Sequence, residues 1–299
     1  FQELAEAPRH ERSAATHLLW AFCLGKLFDK EPTDERRTEF VAALTSLSER
    51  YPQAPEASEA VWMLGQVAER QQQLHEAIDL YVTIPNQHAR SDVAWAATAR
   101  CHERLIAKLR SEKKPTAEAE EAAIKQLLPV VRAVLESLTN GKSQISDFKS
   151  QKAQTADSES DSADLNASDL KSEVSKAKTN DSVHLTRNDS ELLVRFARLL
   201  LERQKISESQ PRTRERADED LSVDRLLETV LSFSRDAEWR KSAGQLRVIY
   251  LAGQRKIDEA EKLLDSLEEA GPDELLAMLD GLTTVSVRCD ATTRRFVAE

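Results

Sequence analysis

Between Tyr51 and Pro85 the chain carries one complete helix–turn–helix unit, and two of its residues, Gly65 and Ala77, are too small to hold helices apart. Val61, Leu64, Gly65 and Ala68 fall on one face of a first helix, and Ala77, Tyr81 and Ile84 on one face of a second. Packed through Gly65 and Ala77, the axes can approach to the short end of the usual ~8–10 Å, with Leu64 and Tyr81 filling the space beside them. Tyr51-Pro52 ends the preceding helix, because a residue before proline avoids helical angles.

This unit resembles the tetratricopeptide repeat, whose ~34-residue period has a Leu-Gly pair in its first helix, an Ala and an aromatic in its second, and a Pro near the end. Leu64-Gly65, Ala77, Tyr81 and, a few residues early, Pro85 match, while Val61 and Ala68 stand where the family has Trp and Tyr. Trp62 lies one place past the family's aromatic and is expected to face elsewhere. A poorer copy occupies Trp239–Leu267, with Ala260 and Leu264 at the second-helix positions and Gly244 and Arg247 where large apolar residues belong. It reads as a degenerate repeat, with a generic helical hairpin as the alternative. The opening Tyr51–Ala57 is also similar to repeats of bacterial envelope-assembly lipoproteins, which brings a cell-envelope location into view beside a cytoplasmic one.

The expected fold is therefore all-α, a right-handed αα-hairpin solenoid of the tetratricopeptide type. Composition agrees: 31% of residues are charged and only 7 of 299 are glycine, a balance that favours helix over sheet. Each repeat of such an array packs only on its neighbours, so no single globular core is required.

Along the chain, Ala14–Phe28 reads as a core helix, with Leu18, Leu19, Phe22, Leu24 and Leu27 spread over much of its circumference. Pro32-Thr33-Asp34-Glu35 supplies an N-terminal cap and early acids to a helix carrying Phe40, Val41, Leu44, Leu47 and Tyr51. Ser91-Asp92 opens another, Val93–Leu109, with Ala94, Ala97, Cys101 and Leu105 in one stripe. Thr116–Leu138 is periodic but holds Pro129, where a kink or restart is expected, and Asn140-Gly141 reads as its stop.

Residues 141–188 are rich in Ser, Asp and Lys without an apolar period, and are expected to form a disordered insertion. A short helix at Ser168–Ala177 is compatible with Leu170, Val174 and Ala177 on one face. Three domains follow: N-terminal helical repeats 1–140, the insertion 141–188, and C-terminal repeats 189–299. Asn188-Asp189-Ser190-Glu191 resembles a capping box that restarts order. Leu221–Phe233, Trp239–Leu251, Ile257–Leu267 and Leu275–Val287 are the helices after it, making about five helix pairs in all. A start at Phe1 and no polar capping repeat at either end are expected of a piece of a longer protein.

Chemistry is thin. Cys23, Cys101 and Cys289 are far apart and odd in number, and Cys23 and Cys101 read as small buried filler. On a helix, Cys101-His102-Glu103 point about 100° apart and do not converge on one ion. His10 and His17 are two turns apart, and His75 and His88 read as surface or capping residues. Acidic pairs such as Glu120-Glu121 and Asp258-Glu259 read as solvated faces. No catalytic, cofactor or metal motif is present, so no enzyme activity and no cofactor are expected. A net charge of −10 opposes nucleic-acid binding. No segment is long and apolar enough for membrane insertion, and a soluble protein is expected. Sequons at Asn166, Asn180 and Asn188 and acid-flanked Ser158, Ser160 and Ser162 read as chance features of a Ser-rich tract.

The expected function is a scaffold that binds a peptide or partner helix of another protein along the concave face of stacked first helices. Trp62, Gln66, Arg70, Trp95 and Arg100 are the candidate groove residues. Arg70 and Arg100 suit ligand carboxylates, while for Trp62 and Trp95 packing between repeats is the slightly favoured alternative. Two other classes stay open: a helical arm of a larger enzyme, and a self-assembling structural element.

Overall fold

A computed structural model describes residues 13–156, 184–207 and 221–266. Ten helices make up nearly all of it: α1 (Ser13–Lys30), α2 (Asp34–Arg50), α3 (Pro55–Arg70), α4 (Leu74–Val82), α5 (Ser91–Ser111), α6 (Ala117–Ala156), α7 (Arg187–Ser207), α8 (Val223–Phe233), α9 (Ala237–Gly253) and α10 (Ile257–Ser266). The described residues are all-α, and their helices pack on sequence neighbours as in an α-solenoid. It divides into two compact units, one of residues 1–128 and 195–214, the other of 129–194 and 215–299. These divisions fall at Leu128/Pro129 and within α7 rather than around 141–188.

In the first unit, α1 to α5 form a chain of antiparallel contacts, and α1 also touches α3. The α3 helix serves two apolar clusters at once. Its Ala60 and Val67 join Phe40, Ala43, Leu44 and Leu47 of α2. Its Trp62 and Ala68 join Ala77, Ile78 and Tyr81 of α4 and Ala94, Ala97, Cys101 and Leu105 of α5. Two stripes on one helix are what a repeat array needs, since every helix between the ends has a neighbour on both sides.

Close approach at Gly65 is literal: a Cβ built there would lie 2.4 Å from Cε1 and 2.7 Å from Cδ1 of Tyr81. Tyr81 is held in that place by Trp62, 5.0 Å away between ring centroids, and is 1% exposed. The same device recurs in the preceding hairpin, where a Cβ on Gly25 would lie 3.0 Å from the Phe40 ring. Leu24-Gly25 thus echoes Leu64-Gly65, a pairing hidden in the sequence by the dense apolar run around it.

The turns use few glycines. Gln72, Lys113 and Arg255 take φ of 61°, 56° and 62° just past α3, α5 and α9. In each case the next residue's N–H reaches back to the last helical turn: Gln73 to Ala68, Lys114 to Leu109 and Lys256 to Leu251, at 2.9–3.0 Å. This is the Schellman closure, made here by residues that bear some left-handed strain.

Several expectations are corrected. The α1 helix buries Ser13, Ala14, His17 and Ala21, and leaves Leu19, Phe22 and Leu27 nearly half exposed, so it is one-sided rather than a core helix. Cys23 lies on that outer side and is exposed, whereas Cys101 is buried. The backbone stays helical through Pro129 and past Asn140-Gly141 to Ala156. Leu185, expected within the disordered insertion, is buried, and its N–H donates to the Phe233 carbonyl at 3.1 Å. The cap of α7 lies two residues earlier than expected, a reciprocal box in which the Asp189 N–H donates to Thr186 Oγ1 (3.1 Å) and the Thr186 hydroxyl to Asp189 Oδ2 (2.7 Å). Ser190 of the Asn188 sequon is buried, donating to Ser234 Oγ.

In the second unit, α8 packs on α9 and α9 on α10. Arg247, standing where an apolar residue belongs, is explained by Asp224 of α8 at 2.8 Å, and Ala260 is fully buried in the α9/α10 hairpin. The helix expected at Leu275–Val287, the short one at Ser168–Ala177, Cys289, His10, Asn166, Asn180 and Ser158, Ser160 and Ser162 lie outside the described residues.

Replacing Gly65 with Ala tests the close packing. Helix propensity favours Ala by about 1 kcal/mol, but overpacking against a ring that cannot move costs about 1–3 kcal/mol. A lower thermal midpoint is expected for Gly65→Ala in a circular-dichroism melt; an unchanged or higher one would show that α3 and α4 are not in contact there.

Candidate functional site

On α3, at about 100° per residue, Gln66 and Arg70 share a stripe with Glu59, and Leu64, Ala68 and Gln71 lie on the opposite side. These are two different surfaces. The first is where the odd-numbered helices α1, α3 and α5 meet, and the structure fills it with ion pairs. Arg70 reaches Asp29 of α1 at 3.4 Å, and Arg90, just before α5, makes a fork to Glu59 at 2.9–3.2 Å.

The centre of that surface is Glu69, whose side chain is 13% exposed. It accepts from Arg100 Nε and Nη2 at 2.8 and 3.2 Å, from Arg104 at 3.0 Å and from the Tyr81 hydroxyl at 3.1 Å. Burial alone would raise its carboxyl, but the Arg100 hydrogen bonds and charge, with Tyr81 and Arg104, outweigh burial and hold it below the ordinary range. Burial and the Glu69 charge push the Tyr81 phenol far up and the Cys101 thiol up to about 12, so both stay protonated. One helix turn along α5, Glu103 pairs with Arg195 and Arg198 of α7.

The five expected groove residues therefore separate. Trp62 is 6% exposed and belongs to the core beside Tyr81, so it is not a surface residue. Arg100 is committed to Glu69, an intramolecular carboxylate in place of a ligand's. Trp95 is half-buried, its indole N–H donating to Asn86 Oδ1 at 3.2 Å. Only Gln66 and Arg70 stand exposed, and Arg70 is paired.

Other polar residues are likewise accounted for by structure. His102 is buried, with Nε2 2.8 Å from Gln126 Oε1, and burial lowers its basicity more than that hydrogen bond restores it. Cys101, His102 and Glu103 point to three different surroundings: the apolar cluster, Gln126 and the α7 arginines. Glu120, expected on a solvated face, is 4% exposed and pairs with Arg110 at 3.0 Å. His88 does cap a turn, accepting from the Arg90 N–H at 3.2 Å.

The open groove is on the other surface of the first unit, over α3 between the even-numbered helices α2 and α4, and measures about 750 Å³. Its apolar lining is Val41, Val61, Leu64, Val67, Ala68 and Leu80. Hydroxyl groups of Thr38, Thr45, Ser46 and Ser48 edge it along α2, and Gln73 and Glu76 along α4. The signal for it in the sequence is the run of small polar residues on the outer side of α2, which leaves α2 and α4 without a reason to close on each other.

Comparison with protein-family models, with curated proteins and with solved structures finds no match to this chain.

Glu69→Gln separates the ion-pair centre from mere packing. Loss of a hydrogen-bonded charge of this kind costs about 1–3 kcal/mol at neutral pH. Because the folded carboxyl titrates below its unfolded value, its stabilisation is complete above the unfolded value and disappears as pH falls through the folded one. The denaturation midpoints of wild type and Glu69→Gln are accordingly expected to differ at pH 7 and to converge as the pH falls below the ordinary carboxylate range; a constant gap would exclude the charge as the cause.

Proposed function

We propose that the chain is a non-catalytic scaffold of the tetratricopeptide-like class that binds a peptide segment of a partner protein. The observation that carries this reading is the groove of about 750 Å³ with an apolar floor and a polar edge. Such a site buries a ligand's apolar side chains while its edge satisfies polar groups. Compared with the face of Gln66 and Arg70, the α2/α4 groove is favoured, since its floor is open and the other face is already paired. Tetratricopeptide likeness is supported by the glycine–aromatic contacts of the α1/α2 and α3/α4 hairpins and by the short turn between α3 and α4. No helix among the described residues is long and apolar enough to cross a membrane.

Selection of linear peptides from a display library against the intact chain tests the reading. Ala42 is exposed on the groove edge, so Ala42→Arg obstructs the floor without entering the core. Selected peptides are expected to lose at least tenfold in affinity on Ala42→Arg and to be indifferent to Arg70→Ala. The reverse pattern would move the site to the odd-helix face, and a library yielding no binder would overturn the scaffold reading.

A second reading, self-assembly, has its own observation: Leu19, Phe22 and Leu27 project from α1 at 47–48% exposure, with Lys26 lying 5.2 Å over the Phe22 ring. Sedimentation velocity over a micromolar concentration series is expected to show oligomers that Leu19→Glu with Leu27→Glu abolishes. A concentration-independent monomer would dismiss it.

A further inference from the structure

Resting on the reading that the α2/α4 groove is the binding site, we propose that its occupant is an extended peptide with the order basic, apolar, any residue, apolar, basic. Three properties of the groove converge on that chemistry.

Its size comes first. The α2 edge runs from Arg37 to Glu49, twelve residues on at about 1.5 Å each, or roughly 18 Å. Five or so residues of extended chain, at about 3.3 Å each, run that length.

The edge supplies what an extended chain lacks. Such a chain arrives with backbone N–H groups that no internal bond satisfies. Thr38 and Ser48 on the edge already donate their hydroxyl protons to the carbonyls of Asp34 (2.8 Å) and Thr45 (2.9 Å). Their oxygens therefore meet a ligand as acceptors, the role a peptide N–H requires. A helix would have little use for them.

Charge gives the ends. Glu49 and Glu76 are exposed groove residues, and neither forms an ion pair or hydrogen bond among the described residues. The one arginine in the lining, Arg37, has its charge met by Asp34 at 3.0 Å and donates to the reoriented Gln71 amide at 3.1 Å. That contact also sets the alignment, placing the start of α2 beside the end of α3, where α4 begins. Glu76 is one turn into α4 and Glu49 lies at the far end of α2, so the two carboxylates stand roughly 14 Å apart along the groove. Four residues of extended chain span about 13–14 Å and return to the same side. Basic side chains at the first and fifth positions then face the two glutamates, and the apolar second and fourth positions face the floor of Val41, Leu64 and Leu80.

Fluorescence anisotropy with the full chain tests this, using a labelled peptide of the order Arg-Leu-Ser-Leu-Arg with Gly-Ser flanks and its counterpart with Glu at both ends. Specific binding of the basic peptide at low salt is expected, at least tenfold tighter than the acidic one. Glu49→Lys and Glu76→Lys are each expected to weaken it about two- to fivefold, the scale of an exposed ion pair, and the double variant more. Both positions are exposed, and circular dichroism verifies that the variants fold. Equal binding of basic and acidic peptides, no binding of the basic one, or indifference to both reversals would overturn the proposal. Ala42→Arg distinguishes the two levels. If it abolishes binding while the reversals do not, the groove stands and the basic occupant falls; if it leaves binding intact, the groove falls as well.

Discussion

Tyr81 stands against the bare backbone of Gly65, tilted beside Trp62, and donates a hydrogen bond from its hydroxyl to Glu69, and through that one side chain three helices are tied together. The ring joins α4 to α3, and Glu69, on α3, takes Arg100 and Arg104 from α5. Apolar burial and a charge-assisted network are here coupled: if the ring is displaced, the carboxylate loses a donor in a place where it is poorly solvated. The core of a solenoid is otherwise a succession of local contacts, each able to slip on its neighbour. A buried polar centre that only one arrangement satisfies gives this one a defined register.

The same network explains why the surface that carries the arginines is not the open one. Guanidinium groups on first-helix positions were as well suited to a carboxylate on the next helix as to one on a ligand, and the intramolecular carboxylate is always at hand. Asp29, Glu59, Glu69 and Glu103 each take that part, joining odd-numbered helices in turn. Between α2 and α4 no such link is present among the described residues. On α2 the outward residues Thr38, Thr45, Ser46 and Ser48 bond back to their own helix or edge the groove, and α4 is only nine residues long. Two helices that both lean on α3, with short hydroxyl side chains along the facing edge of α2, leave a furrow over it.

Helices, their order and most of their buried stripes could be read from residue spacing, because a 3.6-residue period is a local property. Ala94, Ala97, Cys101 and Leu105 were expected in one stripe and are all buried. Pro32-Thr33-Asp34-Glu35 was expected to cap α2, and Thr33 does, accepting from the Arg36 N–H at 3.3 Å. Where reading failed, the deciding partner was remote. Leu19, Phe22 and Leu27 look like core residues by type, yet no helix among the described residues covers that side of α1. Asn140-Gly141 is a competent helix stop, but competence for a left-handed angle does not oblige the chain to take it. Gln72, Lys113 and Arg255 take it instead, forced by the return of the chain into the next helix.

Local sequence, then, determined that this chain is helical, where most of its helices begin, and that Gly65 must receive a large neighbour, since each follows from backbone geometry and side-chain size within a few turns. Which arginine meets which carboxylate, which side of α3 stays open, and whether an apolar stripe is covered were decided only in the tertiary structure. Those outcomes depend on distances between residues some thirty to ninety positions apart, and a pattern with a period of 3.6 carries no information about them.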